Sequence, residues 1–273
     1  MGVTPSVADF ESDTLVTAAG PGVWSATVSP HWSVPRGPNG GYIAAIMLRA
    51  MEAAVADDER VPRSLTVHFL RPPAEGPCDV HVAVERAGRN VSSLSARLIQ
   101  DDRVMVLALG AFAGDFPAAA EYADAAPSVA PPGELHTVPD GPGVLPIAQR
   151  VALDHRFGPA PFSGGDEAVV GGWLRLAEPR IADAAAVAFY CDAWLPAPYA
   201  RLTEFAPAPT IDLTVHFRAR LPHAGMAPDA PVLARFVSRT ARGGLFEEDG
   251  ELWAPDGTLL AQSRQLALLV PAL

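Results

Sequence analysis

The stretch Leu65 to Phe69, "LTVHF", recurs unchanged at Leu213 to Phe217, 148 positions further on. Its surroundings match as well: "PRSLTVHFLRPP" starts at Pro62 and "PTIDLTVHFRARLP" at Pro209, and each alternates apolar with polar residues before running into arginine and proline. Alternation over that length reads as a β-strand with one buried face. A chance five-residue match would leave the flanks unrelated, so the repeat is read as an internal duplication.

Working outward from the two copies, the order of elements repeats. Ahead of the first, "GVWSATVSPHWSV" reads as strand and turn. "GPNGGYIAAIMLRAMEAAV" follows, with Tyr42, Ile43, Ile46, Met47 and Met51 at helical spacing behind a Pro/Gly start. Strands are predicted over Ser64 to Leu70, Asp79 to Arg86, Ser92 to Gln100 and Arg103 to Phe112. In the second half "EAVVGGWLRL" reads as strand and "ADAAAVAFYCDAWL", from Ala182, as a helix with Asp183 as N-cap. Further strands start at Thr210, Val232, Leu245 and Gly257. The stretch from Gly114 to Pro146 carries seven prolines and reads as a linker. The expected organisation is an N-terminal repeat over 1–113, a linker over 114–146 and a C-terminal repeat over 147–273. The expected class is α+β, a double hotdog: two tandem repeats, each a long central helix wrapped by a curved antiparallel sheet.

Composition narrows the function. With 273 residues, 49% apolar and 19% charged, the chain is long and apolar enough for a substantial core. All 20 basic residues are arginine, which removes Schiff-base chemistry and the Walker A lysine. The net charge of −11 argues against a nucleic-acid partner. Cys78 and Cys191 stand far apart in apolar contexts and read as buried thiols of a reducing compartment, so a cytoplasmic location is expected. No secretory signal or membrane span is visible, and the loose myristoylation pattern through Gly2 and Ser6 is not taken as a modification site. Ser163 in "PFSGGD" lacks the G-x-S-x-G frame, no H-E-x-x-H occurs, and no G-x-G-x-x-G is completed. Neither metal nor cofactor is expected.

What remains are polar residues where apolar ones belong. Asp192, in "FYCDAWL", is the only carboxylate between Asp183 and Glu204, one helical turn from Ala188, Phe189 and Leu195. It is either a buried functional carboxylate or one that reaches solvent beyond a helix end. Gln265, in "TLLAQSRQLALL", shares its strand face with Leu259, Ala261, Ser263, Ala267 and Leu269. A buried glutamine needs partners, whether structural or functional. Thr210 has the parity of Asp212, Thr214 and His216, so alternation turns it away from the core unless a bulge or strand end re-aims it. His68 and His216 occupy equivalent places on that polar face and read as solvated or sheet-packing histidines.

These stretches resemble the TesB-like acyl-CoA thioesterases, also called acyl-CoA thioesterase II, over most of the chain outside the linker. "GPNGGYIAAIMLRAM" is similar to the glycine-led first helix of that family, and "SLTVHFLRPP" with "VERAGRNVSSLSARLIQDDRVM" to its strand and meander. In the second half "YCDAW" resembles the segment bearing the catalytic aspartate, "PTIDLTVHF" the strand opening with the catalytic threonine, and "LLAQSRQLAL" the strand carrying the glutamine. The resemblance therefore implies Asp192, Thr210 and Gln265 as catalytic residues and acyl-CoA as the substrate. It implies hydrolysis to free fatty acid and CoA: Asp192 activates a water held also by Thr210 and Gln265, with no covalent intermediate. It also implies a homodimer or higher homo-oligomer.

Gly40 and Gly41 in "PNGGY" are the first candidates for oxyanion or substrate binding, since missing side chains let a thioester approach backbone N–H groups; the alternative is a tight helix entry. Two other functions stay open. One is a hydratase-like hotdog enzyme acting on enoyl-CoA, which pairs an aspartate with a histidine five residues on; here Ala197 stands at that place. The other is a hotdog protein that binds acyl-thioesters without catalysis. With the two "LTVHF" copies as a ruler, Thr210 corresponds to Pro62 and Asp192 falls near Ala44, and matching the last strands sets Phe112 against Gln265. A single catalytic centre, in the second half, is the expectation.

Overall fold

The computed structural model describes residues 9–139, 141 and 145–271; Gly2 and Ser6 lie outside them. The first half comprises α1 (Phe10–Asp13), β1 (Thr17–Gly20), β2 (Val23–Val28), the short hairpin β3 (Ser33–Val34) and β4 (Gly37–Pro38), and α2 (Gly40–Val55). It ends with β5 (Val61–Phe69), β6 (Gly76–Ala87), β7 (Val91–Gln100) and β8 (Arg103–Ala113). The second half comprises β9 (Val151–His155), β10 (Val169–Leu176), α3 (Ala184–Tyr190), β11 (Thr210–Phe217), β12 (Val232–Val237), β13 (Ala241–Arg242), β14 (Leu245–Trp253) and β15 (Leu259–Leu268).

Apart from the β3–β4 hairpin, these strands form one antiparallel sheet in the order β1-β2-β6-β7-β8-β5-β11-β15-β14-β12-β10-β9, with β13 beside β14. The order β2-β6-β7-β8-β5 is mirrored as β10-β12-β14-β15-β11, which is what duplication of one unit requires. The two "LTVHF" strands are the seam. β5 and β11 pair with Leu65 opposite Val215, Thr66 opposite Thr214 and Val67 opposite Leu213. Thr66 thus faces its own repeat equivalent, with 3.0 Å between the two Oγ1 atoms, so a local two-fold axis passes between them. Leu65, Val67, Leu213 and Val215 point inward and are buried, whereas His68 and His216 lie on the exposed outer face. Both strands also carry a register shift at the same place, between Pro62 and Ser64 and between Thr210 and Asp212.

The helices fill the concave side. Tyr42 to Leu48 along α2 are all buried, as is every residue of α3. α3 is rich in alanine, and this lets the two helices pack closely: a Cβ on Gly41 would stand 2.6 Å from Phe189 O. The expectation of a long central helix in each repeat is corrected here. α2 has 16 residues but α3 has seven, ending at Tyr190 with Cys191 as its C-cap. Asp183 does cap its start, accepting from Ala186 N at 2.8 Å. Pro196 bars helical continuation beyond Trp194, and the turn after Tyr190 carries the Asp192 carboxylate to the N-terminus of α2.

The proline-rich stretch is a strap rather than a free tether. Ala126, Val129 and Leu135 pack against Trp173, Leu233 and Trp253 on the outer face of the second half. Trp173 Nε1 donates to Ala130 O at 3.0 Å, and His136 bridges to Leu153. Among the described residues no helix is long and apolar enough to cross a membrane.

Candidate active site

Asp192 follows α3 and lies against the start of α2. Its Oδ2 accepts from Gly41 N at 2.9 Å and from Asn39 Nδ2 at 3.0 Å, while Asn39 Nδ2 also reaches Asp192 O at 2.8 Å. Asn39 has a second task as the N-cap of α2, accepting from Tyr42 N through Oδ1 at 2.9 Å. One side chain therefore starts the helix of the first half and clamps the carboxylate of the second. The positive end of the helix dipole faces that carboxylate. Burial still dominates: it pushes the Asp192 carboxyl up to about 6, against the lowering from the Gly41 and Gly40 N–H groups and Asn39. A carboxylate poised there is ionised at neutral pH yet basic enough to take a proton.

The two glycines are there for space. A Cβ on Gly40 would lie 2.9 Å from Asp192 Oδ2 and 3.0 Å from Phe69 Cζ, and one on Gly41 would lie 3.0 Å from Asp192 Cβ. The role expected for them shifts accordingly, because the Gly41 amide is engaged by Asp192 and here holds the carboxylate instead of facing an oxyanion. Phe69, which closes the first "LTVHF", brings a ring from the first half to the same place.

Thr210 and Gln265 come together. Thr210 Oγ1 donates to Gln265 Oε1 at 2.9 Å. The strand alternation that turned Thr210 outward is overridden by the bulge: Thr210 pairs with Ala267 and Asp212 with Leu266, so one residue of β11 is skipped and the hydroxyl swings to the core side. Gln265 is 5% exposed, and its Nε2 donates to Glu248 Oε1 at 2.7 Å. Glu248 is 4% exposed and accepts from Ala197 N on its other oxygen at 2.5 Å. Burial raises its carboxyl to about 7 against those two donated bonds, and the charge of Asp192 raises it further. Electrostatics thus couples the Thr210–Gln265–Glu248 chain to Asp192. A second tie is Ser263, two residues before Gln265 on the same face of β15, which acts on the Cys191 thiol and lowers its pKa against the larger effect of burial.

Glu248 and Asn39 escaped the sequence reading, though for Glu248 the signal was present. In "LFEEDGELW" it alternates with Phe246 and Leu252, both buried, and so is a carboxylate on an apolar strand face, the criterion that singled out Gln265. Asn39 carried only the signal of a helix N-cap. Among the described residues no three His, Cys, Asp or Glu side chains gather as metal ligands. A cleft of about 620 Å³ lined by residues including Phe10, Trp32, Arg150, Leu176 and Arg180 contains none of the residues above, so chemistry rather than concavity marks the site.

Strand register also corrects the correspondence between halves. Gln265 is opposite Leu213, whose equivalent Leu65 is opposite Gly110, so Gly110 and not Phe112 matches Gln265. Glu248 is opposite Gln265, and Leu94 is opposite Gly110. Counting from the two helix N-caps, Asn39 and Asp183, sets Leu48 rather than Ala44 against Asp192.

Residues 28–113 match the profile of the acyl-CoA thioesterase N-terminal domain, and residues 120–269 that of the C-terminal domain. The chain belongs to the acyl-CoA thioesterase family. It is a thioester hydrolase with the hotdog fold. The thioesterase resembles a conserved hot dog-fold protein of unknown function from Alicyclobacillus acidocaldarius, with 27% identity over 98% of this chain and 100% of that one and a TM-score of 0.85. A putative thioesterase II from Thermobifida fusca YX is 27% identical over 98% and 99% of the two chains, with a TM-score of 0.81. An acyl-CoA thioesterase II from Mycobacterium marinum shares the fold at 20% identity, 97% and 99% coverage and a TM-score of 0.75. Among curated proteins, none matches the sequence.

Proposed function

We propose that the thioesterase hydrolyses fatty acyl-CoA to free fatty acid and CoA by direct attack of water, with Asp192 as general base. The observation that carries this reading is a cradled carboxylate, raised to about 6, whose charge acts on Glu248, the partner of the Thr210–Gln265 hydrogen-bond chain. Asp192 takes a proton as the water oxygen bonds to the thioester carbonyl carbon. The tetrahedral intermediate collapses, the C–S bond breaks, and the CoA thiolate recovers the proton from Asp192. Thiolate leaves readily, so one positioned base and two groups that orient water suffice. Thr210 and Gln265 fix the water against Asp192, and Phe69 helps to wall the site from the first half.

The test is release of free thiol from a panel of acyl-CoAs of increasing chain length by the purified protein. Turnover of medium to long acyl-CoAs, unchanged by a chelator, is expected. A folded protein that releases thiol from none of them would defeat the reading and leave acyl-thioester binding without catalysis.

A further inference from the structure

Glu248 takes no part in the reaction as written, yet among the described residues it is the only charged one that is buried, at 4% exposure. The fold does not require a carboxylate at that place. The register-equivalent residue in the first half is Leu94, 1% exposed in the same kind of strand, so an apolar side chain satisfies the architecture. A buried carboxylate is costly unless every oxygen is paired, and both oxygens of Glu248 are, to Ala197 N and Gln265 Nε2.

We infer that Glu248 is a positioning residue that fixes which end of the Gln265 amide meets Thr210, and with it the direction of the hydrogen bonds offered to the attacking water. The inference rests on the proposed reaction. A glutamine amide can present oxygen or nitrogen to a neighbour with little change of shape. The ionisation of Glu248 makes the choice. The backbone N–H of Ala197 can only donate, and Glu248 when ionised can only accept, so in that form Gln265 turns Nε2 toward Glu248 and Oε1 toward Thr210. The Thr210 hydroxyl then spends its proton on Gln265 and keeps lone pairs free. A water in the site can donate one proton to Asp192 and one to Thr210 and accept the second N–H of Gln265, which leaves one lone pair for the carbonyl carbon. With the amide reversed, Thr210 would point its proton at the water and occupy that lone pair.

Isosteric variants read this out. In Glu248→Gln the new amide must present its oxygen to Ala197 N–H and its NH₂ to Gln265, which reverses Gln265. kcat is expected to fall roughly tenfold or more with KM within about threefold, the scale for losing an outer partner of a reactive group, and with Tm close to that of the wild type. Gln265→Glu alone sets two carboxylates face to face and should lower Tm. In the double variant Glu248→Gln/Gln265→Glu, the amide introduced on β14 donates to the carboxylate introduced on β15, which accepts the Thr210 proton again. Its kcat stays low, because the carboxylate introduced on β15 has no N–H to offer the water, but its Tm should exceed that of Gln265→Glu. Wild-type kcat in Glu248→Gln, or a double variant whose Tm does not exceed that of Gln265→Glu, overturns the assignment. If the wild-type chain releases no thiol from any acyl-CoA, the hydrolase reading fails on its own; recovery of Tm in the double variant over Gln265→Glu still decides whether Glu248 sets the amide.

Discussion

The two halves share a backbone plan and differ in what they place at its centre. Both have a strand that ends "LTVHF", a bulge at its start and a neighbouring pair of long strands. In the second half the inner positions are Asp192, Thr210, Gln265 and Glu248; their counterparts in the first are Leu48, Pro62, Gly110 and Leu94, all buried. The bulge is therefore a property of the duplicated scaffold, and only one copy uses it to aim a hydroxyl. The helices divide the labour the other way. The longer α2, in the apolar half, supplies the N-terminus that holds Asp192, whereas the start of the seven-residue α3 faces ion pairs, with Asp183 3.3 Å from Arg49 and 2.8 Å from Arg180. A single site thus draws its carboxylate from one repeat and its carboxylate cradle from the other.

The largest effect should come from removing the base. Asp192→Asn keeps the shape and is expected to lower kcat by roughly 10²-fold or more, measured as thiol release by a variant whose circular dichroism and Tm match the wild type. Near-normal turnover would move the chemistry to another residue. Next is the cradle. Gly41→Ala forces a methyl to within 2.6 Å of Phe189 O and is expected to cost about 1–3 kcal/mol of stability, seen in urea unfolding, together with a fall in kcat. At Ala185, the α3 position equivalent to Gly41 by cap counting, Ala185→Gly should cost only about 1 kcal/mol of helix propensity and leave turnover per folded molecule unchanged.

A pH profile sharpens the comparison further. As the proposed base Asp192 works only when ionised, and its carboxyl is raised to about 6, so kcat/KM should rise through that region and reach its plateau once Glu248, raised to about 7, is ionised as well. Below that region the rate should fall about tenfold per pH unit. An acid limb centred near pH 4 would mean that the carboxylate is not held as described. The smallest effect is expected at the outer face, where His68→Asn and His216→Asn should leave kcat within about threefold, as for surface substitutions away from the site.

Within the chain, local pattern reached far. Strand alternation, a helical spacing and a Pro/Gly start placed the long first helix and the meander. Out-of-pattern polarity picked out Asp192 and Gln265, and applied to Glu248 it would have found that residue as well. Thr210 was visible as a residue of the wrong parity, but the bulge that resolves the conflict depends on how β11 registers against β15. Strand β9 and the strap across Trp173 were not legible, because neither has a periodicity of its own; both take their shape from the sheet they cover.

By itself the sequence determined that a unit had been duplicated and that the second copy alone carried the odd polar groups, since periodicity and repetition are local and survive in one dimension. Only the tertiary structure decided that the two repeats meet strand against strand at Thr66 and Thr214, and that Asn39 and Gly41 close on Asp192, 153 and 151 residues away. It also decided that α3 stops at Tyr190 and that Gly110 rather than Phe112 is the first-half equivalent of Gln265. The physical reason is that register, bulges and helix-end contacts are chosen by packing and by the pairing of buried polar groups between distant segments. Side-chain alternation along one strand is the same for many partners, and close packing across the core selects among them.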